Sequence, residues 1–125
     1  MAISARAGAL GQRGEDHAVA HVEGLGWEVL DRNWRCRAGE IDIVAHDGAS
    51  GTLVVVEVKC RSGRGFGDPL EAVTEEKVAR LVRLAAAWLK EHQVRVPHVR
   101  VDAVGLVMGR DGHIDLTHVR GLGGW

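Results

Sequence analysis

The chain has 125 residues, 46% of them hydrophobic and 26% charged, with 16 Lys and Arg against 17 Asp and Glu. That length suits one domain around one core, and the near-zero balance excludes a basic protein that coats nucleic acid, so any such contact must come from a local patch. No apolar run approaches the roughly 20 residues that cross a bilayer, and residues 1–10 lack the apolar stretch of a secretory signal, so a cytoplasmic protein without a membrane partner is expected.

Residues 1–10 read as a flexible tail and 11–125 as a single domain. From Gly11 to Leu25 the pattern is helical, with Ala18, Val19, Val22 and Leu25 on one face, and Gly24 and Gly26 end it. Trp27 to Trp34 reads as a strand. Glu40 to Ala45 alternates, placing Ile41, Ile43 and Ala45 on one face and Glu40, Asp42 and Val44 on the other. After the turn cluster His46 to Gly51, the β-branched run Thr52 to Cys60 completes a hairpin whose second strand is buried on both faces.

Ser62 to Gly67 is expected to be a flexible loop. Thr74 is an N-cap, with Glu75 and Glu76 in the first turn where the helix dipole favours acids. That helix runs to about His92 and buries Val78, Leu81, Val82, Ala85 and Leu89. Val99 to Met108 reads as a fourth strand and His113 to Val119 as a short fifth. The αβββαβ order implies an α/β domain, a central mixed sheet flanked by helices.

Function should show where charge occupies positions that packing would give to apolar residues. Glu57 and Lys59 end an apolar strand on the face of Leu53 and Val55, where they are costly unless paired or ligating something. Asp42 lies midway along its strand, from where it could come near Glu57 across the hairpin. Two carboxylates beside a lysine suit Mg²⁺ or Mn²⁺; the plainer alternatives are a solvated strand end and a solvent-facing Asp. Glu15 falls on the inward face of the first helix, either capping something locally or reaching a site shared with Asp42 and Glu57.

Other features read as structural. His17 and His21, at i, i+4 spacing, lack a third ligand and look like exposed residues on a polar flank. Ser62 to Gly67 lacks the Lys-Ser/Thr ending of a phosphate-binding loop. Cys36 and Cys60 form no CxxC pair and are expected to be reduced thiols.

Taken in order, Gly11–Glu15 (GQRGE), Arg32–Arg35 (RNWR), Gly39–Asp42 (GEID), Glu57–Lys59 (EVK), Phe66–Val73 (FGDPLEAV), Lys77, Arg80 and Arg100–Val104 (RVDAV) resemble the PD-(D/E)XK nuclease superfamily. They look most like its YraN-like bacterial family, from about Leu10 to Val107. The resemblance implies a restriction-endonuclease-like αβββαβ core. It matches Asp42 and Glu57 to the metal-binding acids, Lys59 to the catalytic lysine, and Glu15 to the first-helix acid of the archaeal Holliday-junction resolvases. Ile41 stands where the superfamily's name has proline. The implied activity is Mg²⁺- or Mn²⁺-dependent hydrolysis of nucleic acid, DNA including branched DNA foremost, with a homodimer or a partner protein compatible. Arg32, Arg35, Arg37, Arg61, Arg64 and Lys77 are the candidate backbone-gripping residues, against dispersed solubilising charge as the alternative. The competing function is a non-catalytic nucleic-acid-binding or adaptor domain on the same fold.

Overall fold

A computed structural model describes residues 3–4, 8–63 and 67–125, with the side chains of residues 3 and 4 left aside. The elements are β1 (Ile3–Ser4), α1 (Gly8–Gly24), β2 (Glu28–Cys36), β3 (Gly39–Asp47), β4 (Thr52–Ser62), a 3-10 turn (Pro69–Ala72), α2 (Glu75–His92), β5 (His98–Met108) and β6 (Ile114–Gly124). The strands form one mixed sheet in the order β2-β3-β4-β5-β6, with β1 antiparallel on β4 beyond the end of β3. Among the described strands, only β4 and β5 run parallel, joined by the α2 crossover that such a pair requires. The αβββαβ core of a restriction-endonuclease-like α/β fold is therefore present, with β6 added at one edge.

Strand β4 sits at the centre, and its residues from Thr52 to Arg61 are all buried, because α1 covers one face of the sheet and α2 the other. On the α1 side, Ala18 and Val22 pack on Ile43, Val54, Val56, Val58 and Cys60. On the α2 side, Leu81, Leu84, Ala85 and Trp88 pack on Ile41, Val44, Leu53, Val55 and Val101. Each Val, Leu or Ile among them contributes about 1.5–3 kcal/mol of transfer free energy. Gly14 is where α1 comes closest, since a Cβ there would lie 2.7 Å from Cys60 Sγ.

Several expected features differ in instructive ways. Helix α1 begins at Gly8 and closes at Gly24, and Leu25 is 41% exposed because the chain has already left the helix; Trp27 takes the buried place instead. In the expected tail, Ile3–Ser4 form β1, while residues 1, 2 and 5–7 lie outside the described ones. Residues 64–66 of the expected loop also lie outside them. The 3-10 turn that follows, with Asp68 as cap and Glu71 completing a capping box, was not foreseen. Helix α2 buries Leu84 and Trp88 fully, and Val78, Val82 and Leu89 only partly, so its stripe is rotated from the expected one. Strand β6 continues to Gly124, whose φ of 135° lets the backbone pass so near Val99 that no Cβ would fit.

Candidate active site

Strands β3 and β4 pair only as far as Ile43↔Val56. Beyond that step the strands part, and Ile41 turns into the α2 cluster rather than following Ile43 and Ala45 as strict alternation predicts. At the parting, Asp42 replaces the missing ladder bond: Val58 N–H donates to its Oδ2 at 2.9 Å. Continuing the register puts Asp42 opposite Glu57. Both are buried, at 2% and 5% exposure, and Lys59 at 7% lies two residues further on the same face. The solvated alternatives for these three side chains therefore fail.

Glu57 faces the first turn of α2, where Lys77 Nζ lies 3.2 Å from Glu57 Oε2. A cleft of about 140 Å³ opens here between Gly39, Glu40, Glu57, Lys77, Arg80 and Leu84. It has room for a few waters at about 30 Å³ each, or an ion and part of its shell. Burial pushes the Lys59 ammonium below its ordinary pKa, and Lys77 beside it acts in the same direction, while Glu57 and Asp42 oppose. Burial also disfavours the Lys77 ammonium, but Lys59, Glu57 and Asp42 outweigh it and raise its pKa. The Cys60 thiol is pushed up by burial and by Asp42, which keeps it protonated.

Glu15 is fully buried on α1 and reaches β2, 17 and 18 residues on. Its Oε1 accepts from Arg32 Nε at 2.8 Å and from Asn33 Nδ2 at 3.0 Å, so it is not a local cap. Asn33, at φ 54°, lies between the pairs Arg32↔Ile43 and Trp34↔Ile41, opposite Asp42. Glu15 is thus tied to the strand segment that flanks Asp42, and its buried Oε2 has no hydrogen-bond partner among the described residues. Among the described residues no three His, Cys, Asp or Glu side chains form a metal-binding group. Glu15 is therefore not gathered with Asp42 and Glu57 into a three-carboxylate set. Two carboxylates still fit Mg²⁺ or Mn²⁺, since Mg²⁺ takes one or two and completes its shell with water and substrate oxygens. Zinc, which wants N and S donors in a closed tetrahedron, does not fit.

The proposed phosphate-gripping residues divide. Arg35 and Arg37 are exposed, Arg35 lying 3.4 Å from Glu40. Arg32 is committed to Glu15 and Asp16, and hydrogen bonding to Asp16 first raises its pKa. Arg61 is 1% exposed, and its Nε and Nη1 have no hydrogen-bond partner among the described residues. Arg64 lies outside the described residues, and Lys77 sits on Glu57.

Sequence reasoning placed Lys77 among the phosphate contacts and missed its pairing with Glu57. The available signal was its position three residues after the Thr74 N-cap, where helix starts favour an acid. A second cluster was missed altogether. His21 Nε2 lies 3.0 Å from His118 Nδ1, and His118 Nε2 lies 2.8 Å from Asp102 Oδ2. His21 is half-buried rather than an exposed flank residue, and Asp102 interrupts an apolar strand just as Asp42 does.

No helix among the described residues is long and apolar enough to cross a membrane. The family model described as "Uncharacterised protein family UPF0102" matches residues 14–106, a span that contains Glu15, Asp42, Glu57, Lys59 and Asp102. A UPF0102 protein of Mycolicibacterium smegmatis is 50% identical over 114 residues, covering 91% of this chain and 92% of that relative. One from Nocardioides sp. is 52% identical over 115 residues, covering 92% and 91%. One from Arthrobacter sp. is 49% identical over 114 residues, covering 91% and 95%.

Proposed function

The chain belongs to the uncharacterised protein family UPF0102, and we propose that it is a metal-dependent nuclease of the PD-(D/E)XK kind, hydrolysing phosphodiester bonds in nucleic acid, DNA foremost. One observation carries this reading: Asp42, Glu57 and Lys59 are all buried where β3 and β4 part, and Glu57 lines a cleft there. Burying ions costs several kcal/mol each, and a structural role would be served more cheaply by apolar residues.

In this reading Asp42 and Glu57 hold Mg²⁺ or Mn²⁺. When bound, the ion supplies Lewis-acid neutralisation of phosphoryl charge and a more acidic water. The Val58 N–H fixes the Asp42 carboxylate on one oxygen. Lys59 orients the attacking water or stabilises the charge that develops on the phosphate. Glu15 acts through water and through the Asn33 segment it holds opposite Asp42. Arg35 and Arg37 take backbone phosphates from solvent, and a second copy of the chain or a partner protein supplies further contacts in the cytoplasm.

The test is cleavage of linear, nicked and four-way-junction DNA, and of RNA, with Mg²⁺ or Mn²⁺. Wild type is expected to cut at least one substrate, and Asp42→Asn none. A protein that binds these substrates without cutting any is instead a binding module, a reading favoured by one observation: Lys77 already neutralises Glu57.

A further inference from the structure

We infer that Lys77 is a resident cation that competes with the divalent ion for Glu57, so that the site loads only as the Lys77 ammonium withdraws. The inference rests on the metal-dependent reading above and adds to it the residue that sets metal affinity. Lys77 Nζ lies 3.2 Å from Glu57 Oε2, and the Glu57 side chain is only 7% exposed, so the ammonium stands against the carboxylate in the confined space where an ion would be coordinated. Ligand oxygens approach Mg²⁺ to about 2.0–2.1 Å. A divalent ion that close to Glu57 would face the charges of both Lys59 and Lys77 with little water to screen them.

The surroundings identify which lysine yields. Lys59 is 7% exposed and fixed on the central strand. Lys77 stands on the first turn of α2, its side chain 33% exposed, on a four-carbon stem that reaches water without disturbing the helix. Arg80 lines the same cleft one turn further along α2 and has no ion pair with Glu57 among the described residues, which makes it the control for loss of charge alone.

Calorimetric titration of the full chain with Mn²⁺ alone, without nucleic acid, tests this. Lys77→Met keeps the stem and removes the charge, and should tighten Mn²⁺ binding roughly tenfold, equivalent to about 1.4 kcal/mol. Arg80→Met should change it less than about twofold, because that charge does not contact the ligand. Lys77→Arg, whose planar fork holds a carboxylate through two donors, should weaken binding and gives a second reading if the methionine variant folds poorly. Wild type and Lys77→Met binding Mn²⁺ equally, or Arg80→Met tightening it as much, overturns the competition while leaving the metal site standing. No Mn²⁺ binding by wild type or any variant removes the metal-dependent reading itself, and the inference with it.

Discussion

Two aspartates interrupt apolar strands in this sheet, on opposite faces, and their surroundings differ. Asp102 on β5 has 0% exposure and four donors: Arg100 Nε and Nη2, His118 Nε2, and Gly121 N–H. Three of those donors come from neighbouring strand positions that are themselves held by the sheet, and His21 closes the cluster from α1. Asp42 on β3 is equally buried, but it sits where a ladder stops, with Glu57 opposite and two lysines beside them, one of them a third exposed at a cleft. A buried charge alone does not mark a site. What separates the two is that the Asp42 group includes an exchangeable charge, Lys77, standing at an opening.

The comparison breaks most visibly in activity. Asp42→Asn should abolish metal-dependent cleavage and weaken Mn²⁺ binding, whereas Lys59→Ala should lower cleavage by about 10² to 10⁴, the usual cost of losing a proton-transfer group, without weakening Mn²⁺ binding. Assays on substrate alongside calorimetry separate the two effects. Cleavage that survives Lys59→Ala unchanged would move the chemistry elsewhere in the molecule.

Stability should invert that order. Asp102→Ala leaves Arg100 and His118 facing each other without their shared carboxylate, and breaking a buried pair from one side costs about 3–5 kcal/mol. Chemical denaturation should show that loss for Asp102→Ala and a far smaller change for Asp42→Asn. Equal losses at both positions would mean that Asp42 is as structural as Asp102. Glu15 tests an intermediate case: Glu15→Gln keeps an acceptor for Asn33 but weakens the bond to Arg32, and should cost about 1–3 kcal/mol.

The fold was legible because the strongest patterns in the chain belong to the strands that organise it. The run from Leu53 to Val58 can only be a doubly covered strand, and the Thr74 cap fixes the start of α2. Glu57 and Lys59 were legible because they interrupt that apolar run, and Asp42 because the hairpin carries it toward Glu57. The partners of Glu15 were not, because they lie on β2, whose register depends on an irregularity between Val29 and Asp31 and on Asn33 at positive φ. Neither leaves a periodic trace. Nor did His118: its role exists only once β6 pairs with β5 and brings it over Asp102, within reach of α1.

The smallest expected effect concerns that same histidine pair. Burial, then His118, then Arg120 hold His21 below the ordinary histidine pKa of 6.5. The groups facing it are His118, with Asp102 and Arg100 behind, and Arg120. With His118 Nε2 bonded to Asp102 and a single proton between the two rings, an added proton on His21 enters a half-buried site beside the Arg120 guanidinium rather than reaching a free acceptor. The unfolded chain, in which His21 regains its ordinary affinity, therefore binds the proton more readily than the folded one. By linkage this contribution to stability is complete above about pH 6.5 and is lost progressively as the pH falls from there through the lower folded-state value. Melting temperatures between pH 7.5 and 5.5 should slope gently downward in wild type. His21→Gln, which donates to His118 Nδ1 without titrating, should flatten that slope. An identical slope in both proteins would show that the pair closes α1 onto β6 without sensing pH, and would place the acid sensitivity of the fold among its carboxylates instead.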